Sequence, residues 1–230
     1  MQIPAYLIPL EREFKKYADP ENAVPMRKYM LNKFDFFGIN SPLRKEIFNR
    51  YKQQYGLIPE NKGKEIVTWC WEAPQREYQY FAMDFLVRKK NKADEQSIGL
   101  YEFMITHKSW WDTVDMIAAH LVGTYFKKFP EKIPEITSRW MDSGNMWLQR
   151  TCLLFQLKYK EVTDTKLLSS FIGSLISSDE FFIRKAIGWA LREYSKTNPD
   201  YVIRYAEENK LSGLSEREAL KWLKNKGIIS

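Results

Sequence analysis

Lys108-Ser109-Trp110-Trp111-Asp112-Thr113-Val114-Asp115 crowds two indoles and two carboxylates together, and their spacing separates their roles. Trp111 and Asp115 stand at i and i+4, which on a helix puts both side chains on one face, within reach of one ligand. Asp112, three residues after Ser109, fits a capping box in which it reaches back to the Ser109 amide, and Trp110 is read as a core residue. Two later segments carry complementary chemistry. Trp147-Leu148-Gln149-Arg150 follows the polar turn Asp142-Ser143-Gly144-Asn145, so Trp147 and Arg150 share a face about one turn into a helix. Phe181 to Arg192 follows the cap-type residues Ser177, Ser178 and Asp179, and brings Trp189 and Arg192 to the same side. A tryptophan face attracts a cation, arginine clamps phosphate, and a lone carboxylate stabilises developing positive charge or orients a water. Together they suit a cationic group joined to a phosphate backbone. Taken singly, each tryptophan also fits ordinary core packing.

The elements that must position these residues are helices. Apolar residues recur at helical spacing, as in Ile66, Val67, Cys70 and Trp71, while strand signals are weak throughout. Ser41 before Pro42 reads as an N-cap with a first-turn proline, and Ser215 with Glu218 as a second capping box. The short apolar helix beginnings superpose at Tyr80, Asp115, Arg150, Arg184 and Arg217, with successive offsets of 35, 35, 34 and 33 residues. Five residues further on in each unit stand Phe85, His120, Phe155, Trp189 and Trp222. A repeat of this length holds two helices and their turns, the pattern of an all-α, right-handed-type α-solenoid whose inner face is the usual binding surface. Asp115 is then the single acid in a row otherwise supplied by a tyrosine and three arginines. Such a carboxylate is a candidate site; alternatively it pairs with a neighbouring arginine and ties repeats together. Gly188, in mid-helix, marks the close approach of another backbone or of a ligand.

Bulk properties narrow the partner. Lys and Arg outnumber Asp and Glu by 36 to 29, a formal charge of +7, which favours a polyanion without dictating a fold. Cys70 and Cys152 lie in apolar helical patterns and form no CxxC pair, so a reducing, intracellular setting fits. With His107 and His120 as the only histidines, neither a metal nor another cofactor is expected. No run approaches the roughly 18 apolar residues of a membrane span, and neither a signal peptide nor a membrane partner is read. The basic run Arg88-Lys89-Lys90-Asn91-Lys92 reads as a solvated helix end.

Three ordered segments, Lys108 to Asp115 (KSWWDTVD), Trp147 to Lys158 (WLQRTCLLFQLK) and Phe181 to Pro199 (FFIRKAIGWALREYSKTNP), resemble the AlkD-type DNA glycosylases, proteins of HEAT-like repeats that remove alkylated purines from DNA. Similarity extends to Met26-Arg27-Lys28-Tyr29-Met30 and to Gly38-Ile39-Asn40-Ser41-Pro42, so it spans nearly the whole chain. The repeat spacing leaves about the first 50 residues as an N-terminal helical cap, and the resemblance makes 1–230 one HEAT-like repeat domain. It makes Trp111 and Trp189 the walls around the lesion, Asp115 the catalytic carboxylate and Arg150 a contact to the DNA backbone, with no departure at these four positions. Tyr29 matches an aromatic position near the family's cleft and Arg192 an arginine adjoining it. Arg184 and Trp147 complete the expected DNA-binding set, Arg184 on the repeat register alone.

What the resemblance implies for function is hydrolysis of the N-glycosidic bond of N3-alkyladenine or N7-alkylguanine in duplex DNA, leaving an abasic site. It also implies recognition without extruding the base into a deep pocket. The expected protein is a monomer in the cytoplasm, with alkylated duplex DNA as its partner and no obligatory protein partner. A non-catalytic protein that recognises DNA structure, or a protein-interaction scaffold, is the alternative.

Overall fold

The computed structural model describes residues 2–59 and 62–230. All regular structure among them is helical, apart from an isolated bridge between Asp35 and Gln75. None of these helices is long and apolar enough to cross a membrane. The chain divides into two compact units, Met1–Lys89 and Lys90–Ser230.

The first unit comprises α1 (Ile8–Lys16), α2 (Pro20–Tyr29), α3 (Ser41–Tyr55), α4 (Gly63–Glu72) and α5 (Arg76–Lys89). Leu7, Leu10, Phe14, Ile47, Val67 and Trp71 are fully buried, and Phe14 packs against Phe37, Phe48 and Tyr78. Glu77 at the start of α5 is buried, yet its carboxylate accepts from the amides of Phe37, Gly38 and Ile39 at 3.0–3.2 Å. That loop would otherwise bury three unpaired donors. Burial raises the Glu77 carboxyl above its ordinary value while these amides oppose the shift. α3 is capped one residue earlier than Ser41 suggests, because the Asn40 side chain accepts from the Leu43 amide.

The second unit stacks four helix pairs among the described residues. α6 (Ser97–Thr106) pairs with a longer helix built from α7 (Trp111–Met116), a π-helical turn (Ile117–Val122) and α8 (Gly123–Lys128). It is followed by α9 (Ile133–Asp142) with α10 (Met146–Leu154), α11 (Thr165–Leu175) with α12 (Phe181–Ser195), and α13 (Pro199–Glu208) with α14 (Gly213–Asn225). Asp115, Arg150, Arg184 and Arg217 each fall on the second helix of their pair. Neighbouring pairs are tied by bonds about one repeat apart: Arg139 to Glu102, Tyr159 to the Gly123 carbonyl, Tyr201 to Ser169, and Lys185 to Glu218. Gly188 is indeed a point of close approach. A Cβ built there would lie 2.5 Å from the Glu218 Cβ and 2.6 Å from the Ser215 carbonyl oxygen, so α12 and α14 touch through it.

Several helix starts differ from the sequence reading. Ser109 does not cap α7: the cap position is Trp110, and the Ser109 hydroxyl donates to the Ile105 carbonyl at 2.6 Å. α14 is capped by Ser212 rather than Ser215, and Glu218 instead accepts from Lys185 and Arg192. Glu180 occupies the α12 cap position without a side-chain cap, while Ser178 and Asp179 hold Arg184. Each serine met the local pattern, but a neighbour with the required extended backbone took the position.

Candidate functional site

Asp115 and Arg150 meet across the interface of α7 and α10. The Arg150 Nε donates to Asp115 Oδ1 at 2.7 Å and Nη2 donates to Oδ2 at 2.9 Å, a bidentate pair. Their side chains are 11% and 5% exposed, respectively, so solvent screens the pair little. Burial raises the Asp115 carboxyl above its ordinary value; the Arg150 bond and charge oppose this, and the Asp112 charge adds to it. A carboxylate has about four lone-pair sites, so two engaged by Arg150 leave room for a water or a sugar hydrogen.

The backbone explains the placement. α6 ends at Thr106, and the chain turns through Lys108 in the left-handed region (φ 47°) into an extended Trp110 (φ −158°, ψ 159°). The next helix therefore starts at Trp111, with Asp115 one turn on. Beyond Asp115 the helix widens into the π turn. His120 lies in that turn, its imidazole pKa lowered by burial, then by Lys90 and Lys158. Two carbonyls at the turn accept hydroxyls: His120 from Thr124 at 2.7 Å and Gly123 from Tyr159 at 2.7 Å. At α10, Gly144 (φ 67°) closes the turn and the Asn145 side chain caps the helix through the Trp147 and Leu148 amides. Arg150 lies one turn inward.

Trp110 is core, as expected: it is 7% exposed and packs on Trp147 and Phe182, with centroids 5.8 and 5.1 Å away. Trp147, half-buried, belongs to the same cluster. Trp111 and Trp189 are both partly exposed. Trp189 lies two helical turns beyond Phe182, hence on the same face of α12. Arg192 is engaged by Glu218 at 2.7 Å, and Arg184 is folded back onto the Ser178 carbonyl at 2.8 Å and onto Asp179. Tyr29 ends α2 in the first unit and is 68% exposed. Phe182, within the Phe181 to Pro199 segment, is a further member of the site that carries no signal in the sequence. Its carbonyl accepts from Arg150 Nη1 and its ring lies 5.8 Å from the Arg150 guanidinium carbon. No residue pattern signals a backbone carbonyl as a side-chain partner.

Among the described residues, no cluster of three or more His, Cys, Asp or Glu is placed to hold a metal ion. The arrangement offers a partly buried carboxylate on a rigid mount, with indoles and arginines on the same helices. That is a set able to stabilise a developing cation beside an anionic backbone.

Comparison with known proteins agrees with this architecture. One solved structure, that of a predicted DNA alkylation repair enzyme from Enterococcus faecalis, is 33% identical to this chain. The match covers 89% of this chain and 96% of that one, with a TM-score of 0.82. Curated proteins give no match. Residues 10–223 fit the family described as DNA alkylation repair enzyme. With that span running from α1 into α14, and so including every residue of the Asp115–Arg150 site, the chain belongs to the DNA alkylation repair enzyme family.

Proposed function

We propose that this protein is a monofunctional DNA glycosylase that hydrolyses the N-glycosidic bond of N3-alkyladenine and N7-alkylguanine in duplex DNA. The observation that carries the reading is Asp115: an acid 11% exposed, held at both oxygens by Arg150, one helical turn from the partly exposed Trp111. Alkylation at either ring nitrogen makes the purine cationic, so the glycosidic electron pair leaves with the base, which departs neutral without a general acid. The deoxyribose becomes oxocarbenium-like. Asp115 stabilises that charge and accepts a proton from the water that adds to C1′, as the second carboxylate does in glycoside hydrolysis. The product is an abasic site.

Trp111 and Trp189 present ring faces to the cationic lesion or sugar, each contact worth about 1–2 kcal/mol when desolvated. Arg150 has a double role, orienting Asp115 while contacting the DNA backbone through the Nη hydrogens that Asp115 and the Phe182 carbonyl leave over. Arg184, Arg192, Trp147 and Tyr29 complete the DNA-binding set. For Arg184 and Arg192 this requires exchanging Asp179 and Glu218 for phosphate. The lesion is read by charge and helix deformability, with phosphate contacts supplying grip. The protein works as a monomer, in the cell with its DNA, and needs no cofactor.

A second reading has its own observation. Asp115–Arg150 joins adjacent repeats, as Glu218 does with Lys185 and Arg139 with Glu102, so the acid could serve only as a tie in a non-catalytic protein that binds DNA structure. Purified protein incubated with methylated duplex decides between them: the glycosylase releases 7-methylguanine or 3-methyladenine, whereas duplex binding with no base released leaves only the second reading.

A further inference from the structure

Arg150 is anchored at more than Asp115. From α10 it reaches α7 through Asp115 and α12 through the Phe182 carbonyl, which accepts from Nη1. Phe182 lies in the first turn of α12; its ring meets Trp110 edge-on at 5.1 Å and leans on Trp147 at 5.0 Å. Trp110 immediately precedes α7 and Trp147 lies in the first turn of α10. The three rings thus fasten together the starts of α7 and α10, which build the pair, and of α12, which braces it.

A bidentate pair fixes the guanidinium relative to the carboxylate, yet the two can still swing as a unit on flexible stems. A third bond from the remaining Nη removes that freedom. The carbonyl can supply it alongside its helical bond, because it has two lone pairs. We propose that Phe182 is a positioning residue: its ring, packed against Trp110 and Trp147 in a cluster of three mutually touching rings, holds its own carbonyl as the third anchor of Arg150 and so sets the orientation of Asp115. Its bearing on excision rests on the glycosylase reading; the anchoring itself does not.

The test uses full-length protein with Phe182→Ala, and with Phe182→Tyr as the variant that keeps the ring. Because the Arg150 Nε–H donates to Asp115, its NMR resonance reports the Asp115 titration directly. The charged groups acting on Asp115 are Arg150 and Asp112, and neither is altered by these changes. In Phe182→Ala a loosened Arg150 stabilises the carboxylate less, so the midpoint moves to higher pH. Excision of 7-methylguanine falls about tenfold to a hundredfold in kcat, the scale of an ångström-level misplacement, with duplex affinity retained. Phe182→Tyr restores midpoint and rate. A folded Phe182→Ala protein whose Arg150 midpoint is unmoved overturns the proposal, whether or not excision falls. If Phe182→Ala does not fold, Phe182→Leu is read by the same criteria. Wild type that excises nothing removes the glycosylase reading, and the resonance still decides the anchoring.

Discussion

Arg150 holds both carboxylate oxygens of Asp115 across 35 residues of sequence, at 2.7 and 2.9 Å, with both side chains largely closed to solvent. Removing one partner leaves a buried charge without its counterion, which costs about 3–5 kcal/mol, whereas replacing both by apolar groups is often neutral. Arg150→Met therefore destabilises by that order, and Asp115→Leu with Arg150→Met together by clearly less than the sum of the single changes. Chemical denaturation of the four proteins measures it. Additivity within about 0.5 kcal/mol would mean the two residues are not coupled.

The pH dependence follows from burial. Burial raises the Asp115 carboxyl above the ordinary value of 3.8 despite Arg150, and in the proposed mechanism excision needs the ionised form. Excision therefore rises with pH through a midpoint above that value. Stability has the opposite sign: the contribution of a raised acid is present below the unfolded pKa and lost as pH rises through the folded one. A pH–rate profile of kcat/KM whose acid limb falls below the ordinary Asp range contradicts this.

Gly188 offers a purely structural check. Gly188→Ala drives a methyl against the Ser215 carbonyl oxygen at 2.6 Å and the Glu218 Cβ at 2.5 Å, so the gain of about 1 kcal/mol from helix propensity is outweighed. Overpacking of this kind costs about 1–3 kcal/mol. Thermal melting shows a lower midpoint for the variant; an unchanged or higher midpoint means α12 and α14 part without cost.

Those three residues also show what was legible in the sequence. The helical periods, the repeat offsets and the odd acid at Asp115 were all visible, because they depend on side-chain spacing along single helices. The glycine was legible as a close approach, though not whether to backbone or ligand. The pairing of Asp115 with Arg150 appeared only as one of two alternatives, since the repeat register names the row without giving distances. Caps were less legible. Ser109, Ser215 and the serines before α12 matched local patterns, but backbone geometry placed the caps at Trp110, Ser212 and Glu180. The Phe182 carbonyl was invisible because every residue carries the same backbone carbonyl.

Salt separates a phosphate-binding face from a protein-binding one. Affinity for undamaged duplex falls with a log–log slope of about −0.9 per phosphate neutralised, and Arg192→Ala lowers that slope by about one. Filter binding or fluorescence anisotropy between low and moderate salt reads it. A flat response points to a protein partner instead.

In the proposed mechanism the Asp115 carboxylate performs the chemistry while Arg150 orients it, and Asp115→Asn puts that to the test, since the amide keeps the shape and an acceptor but loses the charge. The measurement is single-turnover release of 7-methylguanine from methylated duplex, with binding to the same duplex followed in parallel. The expected result is excision lowered by about 10²–10³-fold, the scale for losing one electrostatic stabiliser of a transition state, with binding retained. Excision by the Asn variant at the wild-type rate would contradict it and leave Asp115 as a tie between repeats.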